Sequence, residues 1–190
     1  PVCIAGRSDW FYVRLLAARY WTSIGVVEDS NHKSVSFVCT LGDCDTAHRE
    51  AWKGIQQAAE EHYDRSADCS FTTFIGYEYT DAPNYANLHR NVIFRNDAVL
   101  RRPVSYIDAH REWDLWRILK EQCIDTDSGC DVLAIPHNSN ISKGYMFDTR
   151  SLRGEEMTSE YAQARAKWEP IAEITQIKGD SETHSTLSPD

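Results

Sequence analysis

Three candidate metal ligands lie beside apolar stretches that are typical of buried strands. Glu78 follows the stretch 71–77, and His137 follows the stretch 132–136. His89 comes just before another such stretch. Imidazole and carboxylate groups suit Zn, Mn or Fe ions. Because such ions can lower the pKa of a bound water to about 7, the pattern predicts a metal centre that makes hydroxide available at neutral pH.

Polar residues that could contact a substrate lie close to these positions or follow the last apolar stretch. Arginine and lysine pair with anionic groups, and asparagine both donates and accepts hydrogen bonds. We therefore predict a small anionic substrate and no catalytic residue beyond the metal ligands. The predicted substrate-binding residues are Arg90, Asn138, Asn140, Lys178 and Glu182.

Each predicted ligand also has an interpretation without metal. Glu78 could be a solvent-facing carboxylate at a strand end, and His89 a loop histidine with satisfied hydrogen bonds. His137 lies in a Pro-His-Asn-Ser-Asn stretch that is typical of a turn, where it could bond a backbone carbonyl. Other chemistries lack their motifs, since the sequence has no G-x-S-x-G nucleophile turn and no glycine-rich phosphate loop.

Helices and short apolar strands alternate along most of the chain. This alternation predicts an α/β fold with a parallel sheet or a barrel. Functional sites in such folds lie at the carboxyl ends of the strands, where Glu78 and His137 are expected. His89 precedes its strand, so it reaches the same end of the sheet only if its loop folds back. The predicted helices are 46–64, 113–123 and 159–167, and the predicted strands are 71–77, 91–95, 131–135 and 171–177, with a helix at 11–20 and a strand at 34–40 in the least readable part.

Composition limits the class of protein. The chain of 190 residues is 42% hydrophobic and 26% charged, which is typical of one globular domain. A net charge of -9 argues against nonspecific nucleic-acid binding, which depends on lysine and arginine. No apolar run is long enough to span a membrane. A cytoplasmic and an exported location both stay open.

The six cysteines form no Cys-x-x-Cys pair. We interpret them as buried or surface thiols, with structural disulfides as the main alternative. A zinc site on Cys39 and Cys44 is a further alternative, although no second pair of ligands stands nearby.

Four motifs in a fixed order resemble a known superfamily. They are FTTFIGYEYT at 71–80, NLHRNVIFR at 87–95, AIPHNSN at 134–140 and EITQIKGDSE at 173–182. Together they are similar to the polymerase-and-histidinol-phosphatase (PHP) metal-dependent hydrolases, in the branch catalogued as domain of unknown function 3604. The resemblance covers residues 46–190 and leaves residues 1–45 poorly assigned. It implies an incomplete PHP-like (β/α)7 distorted barrel.

The resemblance also implies a ligand set. Glu78 matches the strand-end glutamate, His137 matches the histidine that follows a strand and a proline, and His89 fills the remaining histidine role. The superfamily further uses an early His-x-His, an Asp-His and a terminal Asp-x-His. This chain has no His-x-His and no Asp-His, and Asp180 and His184 near its end are spaced differently. We therefore expect a fragment that is inactive alone, with two or three divalent ions (Zn, Mn or Fe) in the complete protein.

Three functions follow from these observations. The first is a metal-dependent hydrolase, of phosphoesterase type, that uses metal-bound hydroxide; an amide or another ester is an alternative substrate. The second is a non-catalytic binding domain with the same fold and a degenerate metal site. The third is a disulfide-bearing secreted interaction domain.

Overall fold

The computed structural model describes residues 44–106, 108–137, 139–150, 156–176, 179–180 and 186. The helix predicted at 11–20 and the strand predicted at 34–40 lie outside these residues. The helices are α1 (Cys44–His62), α2 (Glu112–Leu119) and α3 (Ser159–Trp168), and the strands are β1 (Gly76–Tyr79), β2 (His89–Phe94), β3 (Val132–His137), β4 (Thr175–Gln176) and β5 (Gly179–Asp180). The chain divides into two compact units, Pro1–Glu78 with Val92–Val132, and Tyr79–Asn91 with Leu133–Asp190.

Helix α1 supplies the core of the first unit. Trp52, Ile55 and Ala59 fall at helical spacing and are all buried. The Trp52 ring packs 5.8 Å from the ring of Tyr77 and 5.9 Å from that of Phe94, centroid to centroid. Its indole N–H donates to the carbonyl of Leu100 at 2.8 Å, so the one polar atom of this large side chain is satisfied.

A disulfide fixes the segment that leads into β3. Helix α2 continues into a π-helical turn, Lys120–Ile124, in which Cys123 is buried. Cys123 and Cys130 are bonded, with their Cα atoms 5.0 Å apart. Cys69 is disulfide-bonded as well. The interpretation of the cysteines as thiols is therefore wrong for these three, and the disulfide alternative holds.

Strands β1, β2 and β3 form one sheet in that order, and they run antiparallel. The N–H of Phe94 donates to Ile75 at 2.9 Å, and the N–H of Arg95 donates to Asp131 at 2.9 Å. The end of β2 thus lies beside the starts of β1 and β3. Parallel pairing needs a crossover of a dozen or more residues, and the nine residues between β1 and β2 are too few. Three strands cannot test the barrel, which stays a prediction.

Helix α3 belongs to the second unit and has well-formed ends. The Thr158 hydroxyl accepts a hydrogen bond from the N–H of Tyr161 at 3.1 Å, which caps the first turn. Glu169 follows the last turn, and its carboxylate is buried. Beyond it, the N–H of Glu173 donates to the carbonyl of Pro136 at 3.0 Å, so this part of the chain is bonded to the end of β3. Within the described ranges, no helix has the length and apolarity needed to cross a bilayer.

Candidate metal centre

The antiparallel sheet brings the three predicted ligands to the same end. Glu78 lies near the end of β1, and His137 is the last residue of β3. His89 is the first residue of β2, which runs in the opposite direction, so it lies beside those two strand ends. No folding back of the loop before His89 is needed, because reversal of the strand achieves the same result.

Strand alternation sets the face on which the ligands lie. Successive side chains of a strand point to opposite faces of the sheet. Tyr77 and Phe94 both pack with Trp52 on one face. Glu78 follows Tyr77 directly, and His89 precedes Phe94 by five positions, so both side chains point to the other face.

One ligand atom from each of Glu78, His89 and His137 lies within 4.8 Å of the other two. The two imidazole rings meet edge to face, with centroids 5.7 Å apart and planes at 83°. Both histidines are buried, and Glu78 is half-buried. A tetrahedral ion with bonds of about 2.1 Å needs ligand atoms about 3.4 Å apart. Small side-chain rotations would therefore close this cluster around one ion.

Two hydroxyls next to the ligand positions extend the polar character of this end of the sheet. Thr80 follows Glu78 by two residues, and Ser139 follows His137 by two. The oxygens of both hydroxyls are buried and make no hydrogen bond to any part of the chain that the structure describes. Buried hydroxyls normally bond to protein or water. Both can donate and accept, so they suit the outer coordination sphere of an ion.

A family comparison agrees with one part of the sequence analysis. The model of a family described as "Protein of unknown function (DUF3604)" matches residues 16–190. The chain belongs to the DUF3604 family. The match begins 30 residues before the predicted boundary at residue 46, so residues 16–45 also lie within it. No curated protein and no solved structure matches this DUF3604 chain.

Arg90, predicted to bind substrate, makes structural contacts in the DUF3604 fold. Its Nε donates to Glu169 at 2.7 Å, and both side chains are only 1% exposed. A second nitrogen donates to the carbonyl of Leu88 at 2.8 Å. By strand alternation, Arg90 points to the face opposite His89. These contacts assign the guanidinium to the packing of the second unit, and its contact with a substrate stays a prediction.

The other predicted substrate residues are not placed by the structure. Asn138, Lys178 and Glu182 lie outside the described residues. Asn140 falls in the 3-10 turn Ser139–Ile141, but its side chain is not among those described. Their roles in this DUF3604 protein stay predictions.

Two residues close to the ligand positions along the chain were not predicted from the sequence. Tyr85 and Lys143 have positive φ angles of 63° and 55°. This left-handed conformation is uncommon outside glycine, asparagine and aspartate, so neither residue type signals it. The only hint for Lys143 was its neighbour Gly144.

Proposed function

We propose that this DUF3604 chain carries the metal centre of a PHP-type metal-dependent hydrolase that acts on anionic phosphoesters. One observation supports the metal centre above all others: Glu78, His89 and His137 come from three strands and bring one ligand atom each to within 4.8 Å of the others. The phosphoester class is supported only by the sequence resemblance. An amide or another ester is the alternative.

The donor set favours a catalytic centre over a structural one. Structural zinc sites are closed by four protein ligands, whereas catalytic sites use three and keep a position open. The cluster contains two imidazoles and one carboxylate, and no fourth metal-binding side chain joins it among the residues that the structure describes. When bound, an ion in such an open site supplies hydroxide by lowering the pKa of a water toward about 7.

The protein's own groups have separate tasks in this proposal. His89 and His137 are buried, so packing holds their rings in place and keeps bulk water from them. Glu78 is half-buried and offers one oxygen as a ligand. The Thr80 hydroxyl, two residues after Glu78, can orient a water or a substrate oxygen beside the ligands.

Metal titration tests the centre directly. We expect the chain to bind Zn²⁺ or Mn²⁺ with one ion per cluster, measured by calorimetry and elemental analysis after dialysis. Loss of an outer-shell partner already costs 10–100-fold in metal affinity, so Glu78→Ala, His89→Ala and His137→Ala should each cost about 100-fold or more. The matched control is His62→Ala, because His62 is an exposed histidine at the end of α1. Equal affinity in the ligand variants and the control would refute the metal centre.

Turnover separates the hydrolase from a binding domain. Phosphate monoesters, phosphate diesters and carboxylic esters are assayed with each metal, in the wild-type chain and in the His137→Ala variant. Hydrolysis that disappears with His137→Ala supports the proposal. Tight metal binding without turnover agrees with the expectation that this chain is inactive alone. It favours the non-catalytic binding domain only if a chain that also supplies the missing His-x-His, Asp-His and Asp-x-His ligands is inactive too.

A further inference from the structure

Two connections of the second unit leave the end of the sheet where the ligands lie. Residues 80–88 lead from β1 to His89, and residues 139–147 come shortly after His137. The N–H of Asn87 donates to the carbonyl of Ile141 at 3.1 Å, so the two connections are bonded to each other.

Each connection contains one residue with a strained backbone, and the two residues meet. Tyr85 (φ 63°) and Lys143 (φ 55°) adopt the left-handed conformation, which costs about 1–3 kcal/mol for residues of this kind. The Lys143 Nζ lies 5.7 Å from the centroid of the Tyr85 ring, within the range of a cation–π contact. Strain of this kind concentrates at ligand-binding sites, because folding alone does not favour it.

The connections are firmly anchored, yet they expose large apolar side chains. Leu88 and Met146 are buried, and the Ser142 hydroxyl donates to the carbonyl of Ser139 at 2.7 Å. In contrast, Tyr85 is 72% exposed and Phe147 50% exposed. A rigid backbone that presents an aromatic ring to solvent provides a stacking surface at little cost in conformational entropy.

Tyr85 lies close along the chain to a ligand of the metal centre. Tyr85 precedes His89 by four residues, which span at most about 14 Å even when fully extended. The 3-10 turn Pro83–Tyr85 shortens this path. A substrate with an anionic group at the ligands could therefore place a flat apolar group on the ring.

We propose that Tyr85 and Lys143 form the specificity subsite of the metal centre and that the substrate is an aryl phosphoester. The aryl group stacks on the Tyr85 ring, and the Lys143 ammonium adds positive charge beside a dianionic ligand. This inference rests on the proposed function, because it places the phosphoryl group at Glu78, His89 and His137.

The test compares two non-hydrolysable probes, 2-naphthylphosphonate and methylphosphonate, by calorimetry on the metal-loaded chain. We expect wild type to prefer the aryl probe by about two- to tenfold, the order expected for an aromatic stack. Tyr85→Gly should abolish this preference while leaving methylphosphonate affinity unchanged. Because glycine adopts positive φ without strain, this variant should be at least as stable as wild type. Tyr85→Phe should keep the preference.

Two further variants complete the design. Lys143→Met should weaken the aryl probe about two- to fivefold, as expected for loss of an exposed cation–π partner. Tyr63→Ala is the matched control, because Tyr63 forms a similar cation–π pair with Arg65, 4.2 Å from its ring, in the first unit. It should change neither affinity.

The outcomes separate this inference from the proposed function. The proposal that Tyr85 forms the subsite is wrong if Tyr85→Gly keeps the preference for the aryl probe. It is also wrong if wild type binds both probes equally, whether or not the metal titration shows binding. Loss of preference with intact metal and methylphosphonate binding supports it. The metal titration of wild type is run beside these measurements and decides the metal centre on its own.

Discussion

Glu169 forms ion pairs with two arginines inside the second unit, and its replacement tests how strongly these pairs stabilise the fold. Its Oε1 accepts from Arg90 at 2.7 Å, and its Oε2 lies 3.3 Å from the Nε of Arg165. The side chains of Arg90 and Glu169 are each 1% exposed. Glu169→Ala therefore removes a carboxylate that pairs with the buried Arg90 guanidinium.

The expected loss follows from this burial. Removing one partner of a buried ion pair costs about 3–5 kcal/mol. For a chain of this size each kcal/mol lowers Tm by about 2–4 °C, so the predicted decrease is about 6–20 °C. The double variant Arg90→Met with Glu169→Leu removes both charges, and it should be more stable than Glu169→Ala because no charge stays buried alone.

Thermal and urea unfolding followed by circular dichroism measure the effect. The control is Lys53→Ala, which removes an exposed ion pair with Glu50 at 2.9 Å. Exposed pairs contribute at most about 1 kcal/mol, so the control should lose no more than about 4 °C. If Glu169→Ala loses no more than this control, the argument from buried charge is wrong.

Three other changes have clear expected outcomes in the same unfolding assays. Gly76→Ala should destabilise the protein by about 1–3 kcal/mol, because a Cβ there would lie 2.8 Å from atoms of β2. Gly54→Ala in α1 is the control: its Cβ would meet nothing within 4 Å, so it should stabilise the protein by about 0.5–1 kcal/mol. Equal effects of the two substitutions would contradict this. Replacing Cys123 and Cys130 by serine opens a loop with a sequence separation of 7 and should cost about 2.5 kcal/mol; a difference below about 1 kcal/mol would argue against it. Hydrogen bonds from Ser66 and Ser70 hold the pKa of the Asp64 carboxyl well below its usual range. As the pH falls below about 4, the unfolded chain takes up a proton at Asp64 before the folded chain does, so the free energy of unfolding should decrease. The decrease should be smaller in Asp64→Asn.

Helix α1 was predictable because its apolar residues repeat at helical spacing. The helix predicted at 46–64 is Cys44–His62, and the one predicted at 159–167 is Ser159–Trp168. The boundaries of the strands were predicted less well than those of the helices. Of the stretch predicted at 171–177, the structure describes residues 171–176, and of these only Thr175 and Gln176 pair as a strand. An apolar run indicates burial but not a hydrogen-bonded neighbour.

The types of the metal ligands could be predicted, but their convergence could not. Periodicity says nothing about strand direction, and direction is what brings His89 to the other two ligands. The short connection at 80–88, which lacks a helix, was the available signal for antiparallel pairing. Arg90 looked like a free cation because its partner, Glu169, lies 79 positions away.

The alternation of His89 and Arg90 along β2 makes the ligand cluster sensitive to strand register. A slip of β2 by one residue would turn every one of its side chains to the other face. Arg90 would then point where His89 points now, and a permanent cation would replace a neutral donor. Metal binding would therefore report on folding. In a refolded preparation, the fraction of chains that bind the ion would equal the fraction whose β2 strand has the native register.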